Sequence, residues 1–506
     1  MKHHYALSIL ATILFSAPGF STAYSVNSLA ITNTGSGNSG TLLYCITQAN
    51  MSVGPHVLSF SVAGTIAINN PSGLLPTITQ AVTIDGTTAP GYAGSPVVIL
   101  DGTGLTNGGG LSVTAANFRI YGIDINNFAY WGLQISGDNA DNFIIGASGM
   151  GNVIRNNDYY GIQITSADNG KIAFNKIGTD PTGNTCAANL YDGIDLNTGA
   201  NNDSIYNNQI SCNGYNGIQI NASNNNVVRG NLIGPLLSSC TGSGYRGVDI
   251  EAGSTGNIVG GPLPVHYNKI AGNLYWGIEV KQNGTNNNLL QGNSYSCNDY
   301  GAIDVNTGAN NGITPPVISV ANATTISGTS LPNAIVEVFK SMNTNASLCP
   351  SMPLNQGVDY LGAATANGTG NWTLSGSFNG YVTATQRDGA LNTSEFSTSV
   401  YTGIAGTLAN SCNGNVLVGL KEQTEISFSI YPNPASASFF IHSNAVVGPA
   451  QITLMNMLGE IVHQQSATAS ELSAGMEILL TQLVSGIYFV QMEQSGNIHC
   501  EKLIVK

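Results

Sequence analysis

Charge is the scarcest property of this chain. Of 506 residues only 8% are charged, and 14 Lys and Arg face 27 Asp and Glu, a net charge of −13. So small a supply of cations excludes the basic patches on which nucleic-acid binding depends. Histidine is nearly as rare, with seven in the chain. Cysteine never occurs as Cys-x-x-Cys, and no structural zinc site is expected. After the first twenty-odd residues no stretch approaches the roughly 18 consecutive apolar residues of a membrane helix, so the mature chain is not expected to span a membrane.

What the chain has is glycine, 62 residues of it, and a recurring phrase. A tyrosine, a free position and a glycine are followed by aliphatic, polar, aliphatic: Tyr130-Trp-Gly-Leu-Gln-Ile, Tyr159-Tyr-Gly-Ile-Gln-Ile, Tyr191-Asp-Gly-Ile-Asp-Leu, Tyr215-Asn-Gly-Ile-Gln-Ile, Tyr245-Arg-Gly-Val-Asp-Ile, Tyr275-Trp-Gly-Ile-Glu-Val and Tyr300-Gly-Ala-Ile-Asp-Val. A period of this order marks a solenoid, whose units bury their apolar faces only against one another. Within a unit the alternation is that of a strand. No unit contains a helix-length run of about ten helix-formers. Further strand-like phrases such as Asn226-Val-Val-Arg and Asn268-Lys-Ile-Ala, separated by Asn/Gly corners that tolerate left-handed backbone angles, predict two or three short strands per turn. The expected fold is all-β: a right-handed parallel β-helix, its hand taken from the preference of parallel crossovers.

Stacked coils place equivalent residues about 4.8 Å apart, so each repeated position becomes a ladder. Aliphatic ladders form the core, and corner asparagines such as Asn231, Asn273 and Asn293 can bond along the axis. Cys212 and Cys297 occupy equivalent places three coils apart, about 14 Å along the axis, beyond the roughly 7 Å limit for a bridge. Cys186 and Cys240 sit in longer inserts that can approach each other or Cys212.

The first residues, Met1-Lys-His-His-Tyr followed by an apolar stretch and Ser21-Thr-Ala23, read as a secretory leader cleaved after Ala23. Gly40-Thr-Leu-Leu-Tyr-Cys-Ile-Thr-Gln-Ala-Asn50 has the spacing of a short amphipathic helix suited to closing the end of a solenoid. It resembles the segment that begins many secreted bacterial β-helix proteins, with Thr41 and Tyr44 in place of the usual Ser and Arg. Val82-Thr-Ile-Asp-Gly, Val98-Ile-Leu-Asp-Gly102 and Asn175-Lys-Ile-Gly-Thr-Asp-Pro-Thr-Gly183 extend that resemblance over residues 80–312. It transfers no catalytic residues.

Beyond Thr314-Pro-Pro316 the alternation changes to that of a small β-sandwich. Gly328-Thr-Ser-Leu-Pro-Asn-Ala and Asn392-Thr-Ser-Glu-Phe396 resemble the immunoglobulin-like repeats found downstream of such β-helices. Near the C-terminus, Ile430-Tyr-Pro-Asn-Pro434, Met457-Leu-Gly-Glu-Ile461, Leu483-Val-Ser-Gly-Ile-Tyr-Phe-Val490 and Lys502-Leu-Ile-Val-Lys506 resemble the type A C-terminal sorting domain of the Bacteroidota type IX secretion system. That resemblance implies the type IX machinery as a partner and a protein released or attached at the outer-membrane surface. The expected layout is therefore a leader (1–23), a cap and first coils (24–117), repeats (118–312), an immunoglobulin-like sandwich (313–402), a linker (403–425) and a sorting domain (426–506).

The outward residue of each repeat gives a column: Gln134, Gln163, Asp195, Gln219, Asp249, Glu279 and Asp304. The last three are acidic. Two carboxylates about 5 Å apart repel by roughly 3 kcal/mol at an effective dielectric of 20, so the row calls for a bound cation, raised pKa values or full solvation. Ca²⁺ on Asp249, Glu279 and Asp304 is the one cofactor the row admits, and otherwise none is expected. Carboxylates without a loop of carbonyls seldom complete a Ca²⁺ shell, which favours solvation. The same three acids are the catalytic candidates, because adjacent and alternate coils reproduce the roughly 5–5.5 and 6.5–9.5 Å carboxyl separations of glycosidases. That coincidence follows from sheet spacing alone. Lys281 is the candidate base of a uronate lyase, although Glu251 on the preceding coil is placed to pair with it. His266, in a proline-rich insert, reads as a loop residue.

Beside the column run the tyrosines, and Tyr245, Tyr275, Trp276 and Tyr300 are the ligand-binding candidates for an extracellular polysaccharide. Repeated tyrosine also reads more simply as corner stacking. The Gly-His-Gly, Arg-Ile-Lys and Asp-Pro-His-Asp phrases of pectinases and alginate epimerases are missing from the sequence. The expected function is that of a non-catalytic surface scaffold in contact with glycan or matrix. The alternative is a polysaccharide lyase or glycoside hydrolase working in the groove of coils five to seven.

Overall fold

A computed structural model describes residues 21–69, 74–237, 244–306, 308–345, 349, 352–408, 428–443, 450–456, 461–480, 483, 485–494 and 497–505. The aliphatic residues of the repeat pair in strict register. Leu133, Ile162, Ile194, Ile218, Val248, Ile278 and Ile303 form one parallel ladder, each pairing with the next. The second strand-like phrases divide between two further sheets, so each coil has three strands. One sheet stacks Ile84, Ile120, Ile145, Ile172, Ile205, Val228, Val259 and Leu290. The other stacks Leu100, Ile125, Ile154, Ile177, Ile210, Ile233, Ile270 and Tyr295. All three ladders point inward into one core, and Ile162, Ile218 and Ile278 have no exposed surface. Each such side chain contributes roughly 1.5–3 kcal/mol on burial. The architecture is a parallel β-helix.

Asparagine organises the corners. Asn152, Asn175, Asn208, Asn231, Asn268 and Asn293 form a continuous amide ladder with Nδ2 to Oδ1 distances of 2.8–3.0 Å. Asn231 and Asn293 share this ladder, whereas Asn273 belongs to another corner, where it donates to Asn298 at 2.8 Å. The third corner holds Asn257, Asn288 and Asn310. Earlier turns of this third corner carry Asn169, Asn202 and Asn225 at positive φ, the left-handed angles foreseen for Asn.

A helix, Leu42–Asn50, closes the first coils. Thr41 caps it by accepting the Tyr44 N–H, and Leu42, Cys45, Ile46 and Ala49 enter the core. The first strand, Thr22–Ser28, begins within the expected leader and pairs with His56–Phe60. Residues 1–20 lie outside the described residues.

At the other end an antiparallel sandwich continues the ladders. Asn298 donates to Gln356, Leu290 N–H to Thr393 and Asn310 to the Thr393 carbonyl. The sandwich pairs Val317–Ala321, Thr325–Thr329 and Asn371–Ser375 in one sheet, with Gly357–Thr365, Ile335–Ser341, Tyr381–Arg387 and Val400–Tyr401 in the other. Its core is built on Ile326, Val336, Val338, Trp372 and Val382.

Among the described residues two disulfides fix this body. Cys186 pairs with Cys212 across 5.5 Å between Cα atoms, one of the approaches open to the insert. Cys297 pairs with Cys349 of the sandwich, across 5.6 Å, a partner hidden from any count of coils. Cys240 lies outside the described residues.

The C-terminal unit has its own core, with Phe439, Ile452, Leu454, Val490 and Leu503 between a three-stranded and a four-stranded antiparallel sheet among the described residues. Residues 457–460 of its second phrase lie outside the described residues.

Candidate functional site

The repeat glycine sets the geometry of the face. A Cβ on Gly161 would lie 2.6 Å from the Gly193 carbonyl oxygen, one on Gly193 2.7 Å from that of Gly217, and one on Gly277 2.6 Å from that of Ala302. Each coil thus approaches the next too closely for a side chain. Ala302 stands on the last coil of this sheet, where no further carbonyl follows.

The tyrosine before each glycine is held by its own backbone chain. The N–H of Tyr159, Tyr191, Tyr215, Tyr245, Tyr275 and Tyr300 each donates to the preceding tyrosine's carbonyl at 2.9–3.1 Å. Their rings stack. Tyr159 and Tyr191 lie 4.7 Å apart and nearly parallel, Tyr215 and Tyr245 5.0 Å, and Tyr245 and Tyr275 4.6 Å. Stacking covers ring faces and leaves edges and hydroxyls outward; Tyr130, Tyr159, Tyr191, Tyr215 and Tyr300 are 38–54% exposed. The row closes on Trp276, which meets Tyr275 and Tyr300 edge-on and rests against Gly301.

Beside the tyrosines the polar column is in register, Asp249 opposite Glu279 and Glu279 opposite Asp304. Solvation does not relieve it. Asp249 has no exposed surface and Glu279 only 6%. Two cations meet the charge instead. Arg246 occupies the free position of its repeat, contacts the Glu279 carboxylate, lies 3.8 Å from Asp249 and stacks over the Tyr245 ring at 4.2 Å. Lys281 reaches Asp249 at 2.7 Å and Glu251 at 3.0 Å. The ion pair with Glu251 is therefore present, with Asp249 added to it. The expectation of solvated acids is corrected for Asp249 and Glu279, because the position between Tyr and Gly projects its side chain over the column, whereas Asp304 keeps partial exposure.

Amides serve the other acids. Gln134 donates to Gln163 and Gln163 to Asp195, at 2.8 and 3.0 Å, and Asn306 bridges Glu279 and Asp304 at 2.9 Å to each. Asp192, also at the free position, is buried and accepts the Asn216 N–H at 2.8 Å. Glu395 of the sandwich accepts the Val305 N–H beside Asp304. Its sequence distance concealed it.

Burial, partly countered by Lys281 and Arg246, pushes the Asp249 carboxyl up to about 6. Burial and then the charge of Glu279 push Asp304 up to about 6 as well. Asp192, buried beside Asp195 and Asp249, is pushed up to about 8. Burial opposes the charge of Lys281, but Asp249 more than offsets it and holds the ammonium above its ordinary value. Among the described residues no group of three or more His, Cys, Asp and Glu is arranged to hold a metal ion. His266 lies in a short 3-10 turn of its insert, away from this row.

Residues 429–506 match the family model of the secretion system C-terminal sorting domain. No curated protein matches the chain. Among solved structures it is similar to the enzymatically active domain of tailspike protein 2 of bacteriophage CBA120, at 12% identity over 94% of this chain and 78% of that one, with a TM-score of 0.31. It is also similar to the A-module of the mannuronan C-5 epimerase AlgE4 of Azotobacter vinelandii, at 12% identity over 53% and 93% of the two chains, with a TM-score of 0.26. With the periplasmic alginate epimerase AlgG it shares 14% identity over 50% of this chain and 70% of that one, with a TM-score of 0.24.

Fold and C-terminal segment together define an exported parallel β-helix protein. Its sorting domain places it outside the cell, secreted or held at the surface by the type IX system. No helix among the described residues is long and apolar enough to cross a membrane.

Proposed function

We propose that this protein is a non-catalytic scaffold at or beyond the cell surface whose tyrosine-bearing face contacts extracellular glycan. The observation that carries this reading is a division of labour: the acids are occupied by Arg246, Lys281 and amides, while tyrosines of the same row stay exposed, Tyr215 and Tyr300 among them, and Tyr245 and Tyr275 stay half-exposed. A regular row of hydroxyls and ring edges suits a repeating polymer that offers hydroxyls and C–H faces. Charge narrows the partner. Asp195, Asp249, Glu251, Glu279 and Asp304 outnumber Arg246 and Lys281, so a polyuronate is repelled and a neutral or amino-bearing glycan is preferred.

One observation favours hydrolysis as a second reading. Asp304 holds its proton to about 6 next to Glu279, a pairing of acid and carboxylate on adjacent coils. A lyase has less support, because Lys281 is held protonated by its carboxylates and makes a poor base.

Incubating the exported protein with neutral, amino-bearing and uronate polysaccharides separates the readings. Co-sedimentation without new reducing ends supports the scaffold, new reducing ends support the hydrolase, and unsaturated uronates support the lyase. Binding that is unchanged when Tyr245, Tyr275 and Tyr300 are all replaced by alanine would remove the tyrosine face from the account.

A further inference from the structure

A second recess lies on a different corner of the coil. It has a volume of about 200 Å³ and is bounded by Tyr267, Lys269, Ser294 and neighbouring corner residues on the β-helix and by Val358, Asp359 and Tyr360 of the sandwich strand Gly357–Thr365. That volume is below the roughly 300–1,000 Å³ of pockets for drug-sized ligands, so its natural occupant is a single small ring.

The walls are aromatic. Tyr267 and Tyr360 meet edge to face at 5.7 Å. Tyr267 gains its position because residue 292 is glycine: a Cβ there would lie 2.2 Å from the ring. The base is polar. Lys269 and Ser294 are register partners on adjacent coils, and Asp359 faces them from the sandwich. Lys269 and Asp359 each have a partner within the fold. The Ser294 hydroxyl is buried and has none, so it is the group whose hydrogen bonding a ligand would complete.

We propose that this recess binds one neutral monosaccharide unit, its C–H faces against Tyr267 and Tyr360 and its hydroxyls on Ser294, Lys269 and Asp359. One cation and one anion balance, so the site selects neither acidic nor amino sugars. Burial, opposed by Asp359, lowers the Lys269 ammonium to about 8, in keeping with a recess that excludes bulk water. The site is independent of the tyrosine face, and either can stand without the other.

The test is ligand-observed saturation-transfer NMR on the exported protein with glucose, galactose, N-acetylglucosamine, galacturonate and glucosamine. A neutral sugar should give transfer that Ser294→Leu, which fills the recess, abolishes while polysaccharide co-sedimentation is unchanged. Ser294→Ala, which removes only the hydroxyl, should weaken binding about fivefold, the scale of one neutral hydrogen bond. Thermal melting confirms that both variants fold, and Ser294→Ala decides the matter if Ser294→Leu does not. Absence of transfer from every neutral sugar, transfer that survives both variants, or preference for galacturonate or glucosamine would each overturn the proposal.

Discussion

Lys281 places its ammonium 2.7 Å from Asp249 of the preceding coil, and thereby holds a carboxylate with no exposed surface in its charged form. Among the described residues Lys281 and Arg246 are the cations in ion pairs with this acid.

Replacing Lys281 by methionine should therefore cost about 3 kcal/mol, the low end of the range for breaking a buried pair, because the lysine side chain keeps 20% exposure. Chemical unfolding of the β-helix body reads this directly. A loss below about 1 kcal/mol would class the pair with ordinary surface bridges.

Asp203 should make the protein lose stability with rising pH. It stands in the asparagine ladder of the third corner, buried, with Oδ1 on the Gly170 N–H and Oδ2 unpartnered. At the same rung Asn226, Asn257 and Asn288 donate to carbonyls of the preceding coil. The ladder thus asks for a donor, and burial pushes Asp203 up to about 8. A folded pKa above the unfolded 3.8 means that the unfolded state ionises first, so stability declines from about pH 4 to about pH 8. Asp192 adds to the same decline. Asp203→Asn should flatten the profile of melting temperature against pH, and an unchanged slope would refute a protonated Asp203.

Calcium should leave the melting temperature unchanged, since Asp249 and Glu279 already face Arg246 and Lys281. A site filled at a hundredfold excess over its dissociation constant would add about 2.7 kcal/mol. Calorimetry showing such a gain, lost on Glu279→Gln, would restore the cation reading.

Deleting residues 429–506 should trap the protein in the periplasm without unfolding the rest, because that segment has a hydrophobic core of its own. Unaltered levels at the surface or in the medium would refute the sorting role.

Much of the fold was legible because a repeat states the same instruction many times. Leu133 through Ile303 announce one ladder, and the register follows once their period is seen. The corner ladders were legible as a type but not in their pairing, since Asn231 and Asn273 look alike in sequence and stand on different corners. The site was less legible. Asp249, Glu279 and Asp304 could be aligned from strand spacing, but their neutralisation depends on where the position between Tyr and Gly points, which alternation does not encode. Glu395 and Cys349 come from a later domain, and no periodicity relates them to the coils.

The corner ladders also govern how this molecule can change length. Every coil contributes a rung to each ladder it meets, so adding or removing one residue inside a strand would misalign amides along the axis. Gaining or losing a whole coil would leave the same donors facing the same acceptors. Growth is thus quantised, and the sandwich, whose Gln356 and Thr393 take the places of the next rungs, can terminate a helix of any whole number of coils.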